Sequence, residues 1–262
     1  MSNSTIVEER SPADLSPLVR CTYVARFDGD PYQLYPDGCI DLVATGDGLV
    51  VCGPETRGWS FQVAAGSTSV GLRFEPAAFT AVFGERADAL LDRRIPLDGL
   101  VGSRTARVLG ERLGGAPSPD HRRHLLTDFV RATQPGSWRG RCTPEPTAGA
   151  LVTAPPGIDI ADIARELGVS RRQLHRVAVR TLGYGPSMVR RVMRTQRALA
   201  AMRSAVPMTL AEIAVVSGFA DQSHMTREFR DICATTPAVA RRSRPDGGRG
   251  TDVVTPASDA DR

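Results

Sequence analysis

A chain of 262 residues, 41% of them hydrophobic, is long enough to build two domains with separate cores, which excludes a disordered or fibrous protein. It has no apolar run of about 18 residues, and its N-terminus "MSNSTIVEERSPADLSPLVR" has no basic start leading into an apolar stretch, so neither a membrane span nor an export signal is expected and the cytoplasm is the default location. The net charge is +4, and the five cysteines (Cys21, Cys39, Cys52, Cys142 and Cys233) lack any C-x-x-C pair or nearby histidine, which argues against a disulfide framework, a zinc site or another metal centre.

Taken in chain order, the first half reads as β-rich. "CIDLVAT", "LVVCGP", "SFQVAAG" and "SVGLRFEP" are short apolar or alternating runs separated by turn signals such as "GDG" at Gly46 to Gly48, and each is expected to be a strand. After Pro76 the pattern lengthens. "AAFTAVFG", "GSRTARVLGERLG" and "HRRHLLTDFVRA" repeat apolar residues three or four apart, as amphipathic helices do. "DHRRH" at its start reads as an exposed charged turn, not a histidine site. Residues 1–133 are therefore expected to form a β-rich domain closed by helices. Its candidate ligand-binding polar groups are Asp37, Asp41, Arg73 and Glu75, which fall at strand ends or alternate with apolar neighbours. Cys39 and Cys52 raise a redox or alkyl-accepting alternative, set against their plain reading as small apolar strand residues.

Residues 134–157, "QPGSWRGRCTPEPTAGALVTAPPG", are rich in Pro, Gly and Thr and read as a linker with one short helix. Beyond it lies a repeat. "IADIARELGVS" from Ile160 aligns with "LAEIAVVSGFA" from Leu210 at an offset of 50, and past the turn, at 51, Arg176 meets Arg227 and Pro186 meets Pro237. Each copy is a helix, a turn at Gly168 or Gly218 and a second helix, so residues 158–244 are expected to be an all-α domain with two helix-turn-helix units. Ser170 with Gln173, and Thr209 with Glu212, have the spacing of reciprocal N-terminal caps, and Asp221 can cap the last long helix alone. "PSMVRRVMRTQRALAAMRS", Pro186 to Ser204, has no internal Gly or Pro and should be a stiff connecting helix. The tail, 245–262, has too little apolar content to pack and is expected to be disordered.

Charge follows the same division. Residues 151–244 hold 15 arginines against 7 acids, the first 150 residues are slightly acidic with 16 against 18, and all 33 basic residues of the chain are Arg. A basic charge confined to one segment is the footprint of phosphate binding. In such units the second helix enters the major groove and its outward residues meet base edges. Those residues are Arg172, His175 and Arg176 in the first unit and Gln222, Ser223, Thr226 and Arg227 in the second. Their types suit the task, since Arg pairs with guanine O6 and N7, and Gln with adenine N6 and N7. Arg171, Arg190, Arg191 and Arg194 are expected to touch phosphates.

"SRRQLHR", "LGYGP" and "IAVVSGFADQSHMTREFRDICATTPAVAR" together resemble the DNA-binding domain of the AraC/XylS family of transcriptional regulators, over about residues 151–242. The resemblance implies an α+β protein in which one chain reads two successive major-groove faces of double-stranded DNA, with RNA polymerase a further expected partner. One departure stands out: the family's usual aromatic residue two positions after the arginine of each unit is present as Phe229 but replaced by Ala178 in the first. "YPDGCIDLV", "VVCGPET", "VGLRFEPAAF" and "RRIPLDGL" are similar to an uncharacterised sensor-like domain that precedes this module in many actinobacterial regulators. In the wider family that position often holds a cupin-like barrel that binds a small-molecule effector or forms a homodimer. No catalytic residue and no cofactor is expected, and the other readings are a nonspecific architectural DNA binder or an enzymatic N-terminal domain.

Overall fold

The computed structural model describes residues 4–133 and 145–242; Cys142, the first part of the expected linker and the expected disordered tail lie outside them. The first domain is built on eight strands: β1 (Thr5–Arg10), β2 (Val19–Arg26), β3 (Tyr32–Leu34), β4 (Asp41–Thr45), β5 (Gly48–Cys52), β6 (Trp59–Phe61), β7 (Thr68–Phe74) and β8 (Arg94–Pro96). Six form an antiparallel sheet in the order β1-β2-β7-β4-β5-β8, and β3 pairs with β6 in a separate ribbon. The helices α1 (Ala78–Phe83), α2 (Asp98–Val101), α3 (Ser103–Gly114) and α4 (Pro119–Thr133) follow, with a 3-10 turn at Ala87–Leu90. The "DHRRH" segment is helical, within the first turns of α4, and its Arg123 is buried against Glu9 and Asp120 while both histidines stay exposed.

Alternation gives the sheet two unlike faces. Leu42, Val51, Val70, Leu72 and Phe74 are fully buried and pack with Phe79, Leu126 and Val130 of the helical layer. The other face carries a polar row that runs in register across all six strands: Arg10, Cys21, Arg73, Asp41, Cys52 and Arg94. Beside it the Tyr23 ring lies so close over Gly71 that a Cβ there would fall 2.1 Å from the ring, and this lets its hydroxyl donate to Asp41 at 3.0 Å.

The second domain comprises α5 (Pro146–Thr153), α6 (Ile160–Glu166), α7 (Arg171–Leu182), α8 (Pro186–Arg203), α9 (Leu210–Val216), α10 (Gln222–Cys233) and α11 (Pro237–Arg242). The helix expected inside the linker is α5, and it is more than a connection: Ala148 and Leu151 are buried in one core with Ile163, Leu174, Leu182 and Val192. Ala178 occupies that core fully buried, so the missing aromatic leaves a smaller but closed packing position. A second core holds Ile213, Phe219, Met225, Phe229 and Ile232 against Ala198 and Leu199 of α8. The connecting helix α8 thus serves both units, one on each part of its length.

Candidate nucleic-acid interface

The helices of both units are started by local chemistry. At α7 the Ser170 side chain accepts from the Gln173 amide (3.2 Å) while Gln173 Oε1 accepts from the Ser170 amide (2.8 Å). Thr209 and Glu212 make the same reciprocal pair at α9, and Asp221 Oδ1 accepts from the His224 amide at α10 (2.6 Å). Asp159 caps α6 through the Ala161 amide, a cap the sequence reading passed over although Asp precedes the first apolar residue. Gly168 and Gly218 turn the chain with φ of 64° and 88°, the left-handed region where a side chain costs about 1 kcal/mol. At Gly218 space is short as well, for a Cβ would meet Pro156 at 2.7 Å.

Inward residues then fix which residues point out. Leu174 and Ala178 on α7, and Met225 and Phe229 on α10, are fully buried at four-residue spacing. Burial of a side chain the size of Phe229 contributes about 1.5–3 kcal/mol. Arg171, Arg172, His175 and Arg176 are left exposed on α7, and Gln222, Ser223 and Arg227 on α10. Thr226 is half-buried and donates its hydroxyl to the Gln222 carbonyl at 2.8 Å. Gln222, Ser223, Thr226 and Arg227 line one shallow concavity together with Arg230, which the sequence reading missed although it lies one turn beyond Thr226. His175 lies back against the α7–α8 turn, where a Cβ at Gly185 would be 2.9 Å from its Nε2.

The arginines sort by partner. Arg165 pairs with Asp162, Arg180 with Glu145, Arg191 with Asp231 and Arg194 with Glu228, whereas Arg171, Arg172, Arg176, Arg227 and Arg230 pair with none of the described carboxylates. The uncompensated charge thus faces outward from α7 and α10. Three of the four arginines expected at phosphates have partners within the protein. Arg190 is buried, donating to the Pro155 carbonyl at 2.9 Å and the Ala154 carbonyl at 3.4 Å, and burial together with the Arg194 charge lowers its pKa. Arg194 grips both oxygens of the buried Glu228 (2.7 and 2.8 Å) over the Phe219 ring, and Arg191 reaches Glu228 and Asp231, so these two tie α8 to α10. Arg171 alone is exposed and unpaired. His224 joins the same hub: its Nδ1 accepts from the Ala220 amide, which leaves the Nε2 hydrogen to point at Glu228.

In the first domain Arg73 stands among three carboxylates, Asp41 (3.1 Å), Asp37 (3.4 Å) and Glu8 (3.3 Å). Burial alone would lower the Arg73 pKa, but Asp41 and Asp37 outweigh it and raise it; burial raises those of Asp41 and Glu8 against the pull of Arg73. Glu75 lies apart from this cluster and pairs with Arg20 at 3.0 Å. The four described cysteines are free thiols. Burial pushes Cys21, Cys52 and Cys233 up to about 12 and Cys39 well above the ordinary thiol range, which suppresses the thiolate that nucleophilic or redox chemistry needs. No described helix is long and apolar enough to cross a membrane.

Comparison with known proteins agrees with the geometry. Residues 163–243 match a family described as "Helix-turn-helix domain", and residues 8–96 match a "Domain of unknown function (DUF6597)". No curated protein matches the chain. A transcriptional regulator with an AraC-type DNA-binding domain from Chromobacterium violaceum is 30% identical, over 39% of this chain and 93% of that one, with a TM-score of 0.36. A probable AraC family transcriptional regulator from Rhodopseudomonas palustris is 25% identical over 37% and 96%, with a TM-score of 0.32. ToxT from Vibrio cholerae, solved with an unsaturated fatty acid, is similar over 92% of this chain and 94% of its own, at 14% identity and a TM-score of 0.44. At that identity and score the whole-chain likeness carries nothing about ligand or assembly. The doubled helix-turn-helix, the matched segment and the 30% identity to an AraC-type relative lead to one conclusion: this chain belongs to the AraC-type family of DNA-binding transcriptional regulators.

Proposed function

We propose that this regulator reads two successive major-groove segments with one chain, α7 in one and α10 in the next. The observation that carries the reading is the set of arginines on those helices without a partner among the described carboxylates, beside the amide and hydroxyl groups of Gln222, Ser223 and Thr226. Arg172, Arg176 and Arg227 suit guanine, Gln222 suits adenine, and Arg171 supplies a phosphate contact. A purely architectural binder needs only the arginines. Selection of bound sequences from a random DNA pool by the full-length protein tests the reading, with two enriched blocks about one helical turn apart expected. Arg227→Ala should then weaken binding to the selected site by about 1–3 kcal/mol and relax preference within one block only. Enrichment of one block, or of none, removes the two-groove reading.

The N-terminal domain, in this reading, holds the control: a small effector on the sheet face that carries Asp41 and Arg73, beside Asp37 of the β3–β4 loop, or a homodimer contact. Polar groups in one row of a half-buried sheet face support the effector site. Glu75 is set aside because it pairs with Arg20 outside that cluster. The proposed location is the cytoplasm, and the reading of the N-terminal domain as non-enzymatic is favoured by the burial that raises the pKa of the Cys21 and Cys52 thiols.

A further inference from the structure

The second reading helix is finished by the other domain. Gly183 and Ser217 close α7 and α9 by donating their amides back to Val179 and Ile213 of the same helices, whereas α10 ends on Ala234 with φ of 54° and without such a bond from that residue. Left-handed backbone is unfavourable for alanine, so something outside the helix must hold this end. The Ile232 carbonyl, one of the last that α10 leaves open, accepts the amide of Gly58 from the loop between β5 and β6 at 2.5 Å. That loop is itself braced: Thr56 binds Asp92 through amide and hydroxyl (2.7 and 2.6 Å), Trp59 donates to Glu55 (2.6 Å), and the Arg94 guanidinium lies 3.9 Å over the Trp59 ring. Two further ties come from the same domain, with Gln196 of α8 donating to the Pro36 carbonyl at 2.7 Å and Tyr35 packing on the core of the second unit.

We propose that Gly58 is a positioning residue for DNA recognition: its amide caps α10, so the N-terminal domain sets the pose in which Gln222, Ser223, Thr226 and Arg227 are presented. This rests on the two-groove reading above. Glycine is required by close approach, because a Cβ on Gly58 would sit 2.6 Å from the Cys233 oxygen and 2.9 Å from its carbonyl carbon. The three nearest atoms all belong to Cys233, so the closest conflict of a methyl group there is with the end of α10.

The test compares the full-length wild type with Gly58→Ala, and with Gly46→Ala as a control at a glycine that has nothing within 4 Å. Hydrogen exchange of peptides spanning 228–236 and 68–74 is followed beside selection from a random DNA pool. In Gly58→Ala, exchange should rise at 228–236 and not in β7, and discrimination within the block read by α10 should fall by about fivefold, the factor typical of one helix cap. The block read by α7 and the Gly46→Ala protein should be unaltered. Unchanged exchange, or faster exchange with the α10 block intact, overturns the proposal alone. A wild type that selects no second block overturns the two-groove reading and the proposal together.

Discussion

Residues of one type do several jobs here, and environment assigns them. Arg190 and Arg171 carry the same side chain in the same basic segment, yet one is buried on two carbonyls and the other stands unpaired beside a helix N-terminus. A phosphate contact is measured by counterion release, so Arg171→Ala should lower the slope of log affinity against log salt by about 1, while Arg190→Met leaves the slope unaltered. Equal losses of slope for both would return Arg190 to the phosphate-contacting set. Sequence spacing could not separate these two, because α8 is buried on two sides by cores that only the folded chain brings together. Glu228 was hidden for the same reason. An acid among outward-looking polar residues reads as solvated, and its burial follows from Arg194 and His224 converging on it.

At the scale of elements, legibility follows how local the signals are. The two helix-turn-helix units were readable because cap, glycine turn and apolar spacing all lie within a dozen residues, and α8 was found at Pro186–Arg203 with its end one residue short of the expected one. The strands β1 and β2 escaped notice. Lying between β1 and β7, β2 is buried along nearly its whole length, and its sequence alternates only from Val19 to Tyr23 before Val24 and Ala25 break the pattern. The run "SFQVAAG" erred in the other direction, since only Trp59–Phe61 pairs with β3. α5 was placed in a linker because Pro and Gly dominate it, and its two buried residues gain meaning only against α7 and α8. The reciprocal cap at α7 makes a quantitative expectation: Ser170→Ala should lower the unfolding free energy by about 1 kcal/mol in chemical denaturation. A loss below the error of the measurement would show that α7 does not depend on this cap.

For the whole molecule, what the sequence leaves unsaid is how one domain meets the other. Gly58 lies outside every motif, Tyr35 and Pro36 open "YPDGCIDLV" without signalling a partner, and their contacts to α8 and α10 exist only between folded surfaces. Glu8, which contacts Arg73 of the polar row, gives global stability a pH dependence with a definite sign. Burial raises the pKa of Glu8 above 4.5 despite Arg73, so the folded protein holds that proton more tightly than the unfolded chain does. The stabilisation this supplies is complete below the unfolded value and is lost as pH rises through the folded one. Urea titrations of wild type and Glu8→Gln should therefore show a stability difference that shifts against the wild type from about pH 4 upward. A difference that shifts in the wild type's favour would mean that Arg73 dominates over burial at Glu8.

The division of α10 into an inward Met225 and Phe229 and an outward Gln222, Ser223 and Arg227 also bears on evolutionary history. Because those three outward side chains support no core, they are open to exchange by mutation at little cost to folding. A lineage can therefore drift toward new operators by altering the letters that are read, while the capped helix, the glycine turn and the Gly58 contact that present them are inherited unchanged.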